Sequence, residues 1–145
     1  MSTRSMIGHL NNNGTITGIY CHFDGYLSHV GRILAEHYTD PAKVDALMAL
    51  GDIFSIGEEI GEKHDFRACP KGQCNAYGRD RGEYNVDART FDTIREFADD
   101  YEYTYLFVDG AWTVSAPYAS PPLVWFPLAE AVAIDAARRA AEVAS

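Results

Sequence analysis

Two turn signals, each set between alternating runs, constrain this chain more than anything else in it. Asn11-Asn12-Asn13-Gly14 separates β-prone runs at 3–10 and 15–24, and Asp109-Gly110 separates Tyr101–Val108 from Ala111–Val114. Asn-Gly and Asp-Gly tolerate the left-handed backbone that tight hairpin turns require, so each pair of runs reads as a β-hairpin. The register of the first is open: a two-residue loop sets Arg4 opposite Cys21, and a three-residue loop sets it opposite Tyr20.

Between the hairpins the period changes. Leu27, Val30, Ile33, Leu34 and Tyr38 repeat as one helical face, with Ser28 placed to cap its start. Thr39-Asp40-Pro41 then offers a capping carboxylate ahead of a proline suited to the first helical position. Val44, Leu47, Met48 and Leu50 follow, and Gly51 stops the run. From Gly51 to Gly82 periodicity fades and glycines recur, the pattern of a long irregular segment serving as a pocket wall or lid.

Residues 88–99 read as a further helix, with Phe91, Ile94, Phe97 and Ala98 on one side. Pro117 to Pro127 breaks regular structure. Leu128 to Val143 forms an alanine-rich helix with Leu128, Ala131, Val132, Ile134 and Asp135 on its more apolar face. The expected fold is α+β, an antiparallel sheet from two hairpins with helices packed mainly on one face. One domain over 1–145 is expected, with a core at 1–116, a linker at 117–127 and a C-terminal helix at 128–145, through which the chain could form a homo-oligomer.

A chain of 145 residues suits a single core. Its 21 acids against 12 bases give a net charge of -9, which repels phosphate backbones and argues against direct nucleic-acid binding. No stretch is apolar enough to span a membrane, and no long apolar run follows Met1, so the expected location is the cytosol. Cys21, Cys69 and Cys74 are an odd set without an export signal, which favours reduced thiols. His64, Cys69 and Cys74 lack the tight paired-cysteine spacing of a zinc site, so no metal and no cofactor are expected.

Two stretches carry the chemistry. In an extended strand Tyr20, His22 and Asp24 project from one face while Ile19, Cys21 and Phe23 project from the other, ending at Gly25-Tyr26 where the chain must turn. A carboxylate beside an imidazole suits acid-base work and anion binding alike. Tyr77-Gly78-Arg79-Asp80-Arg81-Gly82-Glu83 places two guanidinium groups on a glycine-flexible loop with tyrosines at 77 and 84. Arginine grips phosphate through paired donors and stacks on rings, and interleaved aromatics are what nucleobase stacking uses. The resulting ligand-binding set is Arg4, Tyr20, His22, Asp24, Tyr26, Tyr77, Arg79, Asp80 and Arg81. No catalytic residue is assigned. A phosphodiesterase-like hydrolase would have to rely on His22.

Met1-Ser2-Thr3-Arg4, Tyr20 to Tyr26, Gly31 to Tyr38, Leu50 to Asp52 and Ala76 to Glu83 occur together in a way that resembles a group of uncharacterised small proteins of bacteriophages and mobile elements. The likeness covers roughly residues 1–110, and the C-terminal helix departs from it. It implies a phage-encoded protein made in the bacterial host cytosol. Proteins of that setting and size often counter host defence. Two functions then compete: sequestering a small phosphorylated nucleotide messenger without cleaving it, or acting as an acidic inhibitor that blocks the basic nucleic-acid channel of a host defence protein. The second would use acid clusters such as Glu58-Glu59 and Asp99-Asp100.

Overall fold

The computed structural model describes residues 3–98, 101–115 and 124–144. In chain order these form β1 (Ser5–Leu10), β2 (Ile16–Cys21), a wide π turn (Leu27–Gly31) that runs into α1 (Arg32–His37), α2 (Pro41–Ala49), β3 (Ile53–Ser55), a 3-10 turn (Phe66–Ala68), β4 (Asn75–Ala76), α3 (Tyr77–Arg81), β5 (Arg89–Phe91), α4 (Ile94–Ala98), β6 (Tyr103–Val108), β7 (Ala111–Ser115), β8 (Phe126–Pro127) and α5 (Leu128–Ala144).

Both expected hairpins form. Gly14 (φ 87°) turns the first, and Asp109 (φ 50°) with Gly110 (φ 81°) turns the second, the left-handed pair that a two-residue hairpin loop demands. In the first, Asn11 N–H donates to Thr15 O at 2.8 Å and closes a three-residue turn. Ser5 consequently lies opposite Cys21, and Arg4 falls one position beyond the ladder, opposite neither Cys21 nor Tyr20.

The sheet runs β4-β3-β2-β1-β6-β7-β8, with β5 also paired to β2. It is mixed rather than purely antiparallel. β1 runs parallel to β6, and β2 parallel to β3, because the chain crosses over the sheet between hairpins before β6 returns beside β1.

One face is the larger core. Ile7, Ile19, Cys21, Ile53, Tyr105, Phe107, Trp112 and Val114 meet Val30, Ile33, Leu34, Val44, Leu47, Met48 and Leu128 from the helical layer. Asp40 caps α2 as the sequence indicates, its carboxylate accepting from Ala42 N–H at 2.9 Å with Pro41 next in line. Ser28 does not cap the preceding helix, whose start follows Tyr26 and carries no side-chain cap bond. On the opposite face Phe97 of α4 lies flat on the sheet beside Met6, Ile16 and Leu106. Glycine makes this possible: a Cβ at Gly18 would come within 2.5 Å of Phe97, and one at Gly8 within 2.8 Å.

Two segments differ from their sequence reading. The stretch 51–82 is not irregular throughout, since β3, β4 and α3 lie within it and add two strands beyond β2. The helix expected over 88–99 begins as strand β5, which pairs with Ile16, Thr17 and Gly18 of β2, and among the described residues of that range only Ile94–Ala98 is helical. Of the linker expected at 117–127, residues 117–123 lie outside the described residues, while Phe126–Pro127 pair with β7.

Candidate functional site

β2 has two edges. One is fully paired with β1, whereas the other is shared, β5 meeting it at Gly18 and β3 at Cys21. The gap at Tyr20 is filled by a side chain: Asp52 Oδ1 accepts from Tyr20 N–H at 2.9 Å and from Arg89 Nη2 at 3.4 Å. Asp52 O also accepts from Tyr77 N–H at 3.3 Å, so this one residue ties Tyr20 to the start of α3. Burial pushes the Asp52 carboxyl above the usual aspartate value, against the pull of the Tyr20 N–H and Arg89. Asp52 is absent from the sequence-derived set, although it stands after the helix-stopping Gly51 and closes the Leu50 to Asp52 stretch of the resemblance.

Tyr20 and His22 project together from the sheet face opposite the larger core, as alternation requires, and the Tyr20 hydroxyl bonds His22 Nδ1 at 2.7 Å. Burial, with Tyr77 adding to it and Arg4 opposing, pushes the Tyr20 phenol up to about 12, so it is a neutral hydroxyl at physiological pH. Around this pair the rings form an unbroken path. Tyr101 packs on Tyr20 at 5.7 Å, His22 on Phe54 at 5.7 Å, and Phe54 on Phe66 at 5.6 Å and on Tyr77 at 6.4 Å. Phe66 stacks on Tyr77 at 5.6 Å, and Phe23 stacks on Phe54 at 5.8 Å. A guanidinium closes each end: Arg4 lies 5.5 Å from the Tyr101 ring, and Arg81 lies 4.9 Å from Phe66 and 5.6 Å from Tyr77. Phe54, Phe66 and Tyr101 complete the surface and were not singled out from sequence, where three aromatics in separate segments carry no common spacing.

Arg79 and Asp80 do something else. Arg79 donates Nε to Asp80 Oδ1 at 2.9 Å, Nη2 to Asp80 Oδ2 at 3.1 Å and to Cys74 O at 2.9 Å, and Nη1 to Ile60 O at 3.0 Å and Gly61 O at 3.1 Å. A guanidinium has five N–H groups, and all are committed here to the protein. Asp80, its side chain fully buried, also accepts from Ala76 N–H at 2.7 Å and His64 N–H at 3.2 Å. Burial works to raise its carboxyl, yet Arg79 and the two backbone donors outweigh it and hold Asp80 below the usual aspartate value. This clamp ties the segment 60–76 onto α3 and thereby seats Phe66, Tyr77 and Arg81. Arg79 and Asp80 thus position the surface from behind.

Asp24 also leaves the expected group. The strand ends at Cys21, Asp24 takes a left-handed backbone (φ 55°), and its carboxylate lies 3.8 Å from His29 Nδ1 instead of beside His22. Gly25 lets the chain pass close to the first strand, because a Cβ there would come within 2.9 Å of Thr3 O. Tyr26 packs edge-on to Tyr103 at 6.1 Å, away from the ring path. The sequence set is therefore divided: Arg4, Tyr20, His22, Tyr77 and Arg81 converge on one surface, Arg79 and Asp80 lie beneath it, and Asp24 and Tyr26 turn aside.

The thiols are not poised as nucleophiles. Burial pushes Cys21 up to about 12 and raises Cys69 and Cys74 as well. Cys74 Sγ lies 3.3 Å from the Tyr38 hydroxyl, while Cys69 Sγ points to Gln73 O at 3.4 Å and His64 Nε2 meets Asn75 Oδ1 at 2.9 Å, so these three do not converge. Among the described residues no cluster of histidine, cysteine and carboxylate forms a metal cage, and no helix is long and apolar enough to cross a membrane. Of the acid clusters, Glu58 and Glu59 are exposed and Asp99-Asp100 lies outside the described residues. Comparison with protein-family models, curated proteins and solved structures finds no match to this chain.

Proposed function

We propose that this chain is a non-catalytic binding protein that captures a small phosphorylated nucleotide, acting as a phage-encoded sponge for a host defence messenger. The observation that carries the reading is the ring path from Tyr101 through Tyr20, His22 and Phe54 to Tyr77, with Arg4 at one end and Arg81 at the other. Bases stack on aromatic faces with about 1–3 kcal/mol each, and guanidinium groups supply charge-assisted bonds to phosphate. Arg4 and Arg81 pair with Glu102 at 3.8 Å and with Glu83 at 2.8 Å, so a ligand of one or two phosphates would share or displace these carboxylates, whereas the net charge of -9 opposes a long polyanion. Sequestration is favoured over cleavage because the carboxylate expected beside His22 pairs with His29 instead, leaving the imidazole bonded to a neutral phenol.

Isothermal titration with cyclic dinucleotides and ADP-ribose-type ligands tests this directly. Binding should weaken at least tenfold in Arg81→Ala and in Tyr20→Ala, and the ligand should be recovered intact after the complex is denatured. Recovery of cleaved ligand would convert the reading to a hydrolase. Absence of binding by every phosphorylated nucleotide, with tight salt-sensitive binding to a basic host defence protein, would replace it with the acidic inhibitor.

A further inference from the structure

α5 packs on the hydrophobic core of the protein along Leu128, Ala131 and Val132. Residues 136–143 are exposed throughout, and Ile134 is 60% exposed with Phe126 beside it at 47%. Leu27, Phe126, Ala131 and Ile134 line a groove of about 330 Å³ along this flank.

The charges at the groove decide what the cover is. Glu130, Ile134 and Arg138 lie at successive i, i+4 positions and all line the groove, so along it they set an acid at one end, an apolar residue at the middle and a base at the other. Asp135 is already bonded to Arg139 at 3.0 Å, whereas neither Glu130 nor Arg138 makes an ion pair among the described residues. A stripe of this kind is complementary to itself when reversed. From the acid to the base it spans about 12 Å at the α-helical rise.

We propose that α5 pairs antiparallel with α5 of a second copy of this chain about a two-fold axis through Ile134. The axis sets Glu130 of each copy opposite Arg138 of the other, brings the two Ile134 side chains together over the grooves, and lets the alanines of the projecting helix approach closely. An isologous interface repeats every contact, so one favourable charge pair counts twice. The acidic net charge of each chain opposes association only weakly at physiological salt, where charges beyond about 8 Å are screened.

Sedimentation equilibrium on the whole chain provides the test. Wild type should run at twice the 16.1 kDa chain mass at micromolar concentration. Glu130→Arg and Arg138→Glu should each run as monomers under the same conditions, because each sets like charges against one another. An equimolar mixture of these two variants should regain the doubled mass, since unlike charges then meet across the axis. Ile134→Asp should stay monomeric alone or mixed. All three positions of change are solvent-facing, and circular dichroism checks that each variant keeps its helix content. A monomeric wild type at the highest soluble concentration would overturn the proposal. So would a dimer that survives both single reversals, or variants that fail to associate when mixed. Nucleotide titrations read a different face, so either proposal can fail while the other stands.

Discussion

Arg79 and Arg81 are two positions apart and have opposite fates. The Arg79 side chain is 18% exposed and spends its donors on Asp80 and three carbonyls, while Arg81 is 54% exposed and lies over two rings. The difference comes from the short helix: successive residues of α3 diverge by about 100°, so one arginine is driven beneath the surface and the other onto it. Asp80 is the counter-charge that makes the buried guanidinium tolerable, and its lowered pKa links that clamp to pH. A carboxyl held below its unfolded value contributes stability that is complete above the usual aspartate range and is lost as pH falls through the folded value. Asp80→Asn should therefore be destabilised at neutral pH by about 3 kcal/mol, the cost of stranding a buried partner. The gap to wild type should close as urea unfolding is repeated from pH 5 towards pH 2. A constant gap would show that Asp80 carries no such linkage.

At the scale of elements, the sheet is shaped by what its strands omit. Gly8 and Gly18 face each other across β1 and β2, and the space above them is taken by Phe97. Gly18→Ala should cost about 1–3 kcal/mol by pushing that ring off the sheet, an overpacking penalty. The penalty should shrink markedly when the same change is made in a Phe97→Leu background, because coupled neighbours are not additive. Thermal unfolding of the four proteins measures the coupling, and equal penalties in both backgrounds would show that the ring is not what the glycines accommodate. Asp52 plays the converse part, supplying by side chain the partner that no strand gives to Tyr20 N–H. The sequence separates the glycines, the phenylalanine and the aspartate by tens of residues, and no local pattern relates them.

The whole molecule is joined by a few long-range bonds between its second hairpin and its helical layer. Trp112 Nε1 donates to Tyr38 O at 2.8 Å, and the Tyr105 hydroxyl donates to Gly25 O at 2.6 Å. Trp112→Phe should cost about 2 kcal/mol or more in urea unfolding, through a stranded carbonyl and a smaller ring, while nucleotide titrations stay unchanged because this contact lies on the other side of the sheet. A loss of binding without a loss of stability would contradict that separation of roles. Local chemistry alone determined both hairpins, the capped second helix and the C-terminal helix, because glycine in left-handed turns, a carboxylate before proline and strict periodicity each act within a few residues. It also determined that Tyr20 and His22 share a face. Only the tertiary structure decided that Phe54, Phe66 and Tyr101 join them, that Asp24 turns to His29, and that β1 and β6 run parallel. Those outcomes depend on which distant segments pack side by side, and the free energy of that choice is held in contacts that no short stretch of sequence contains.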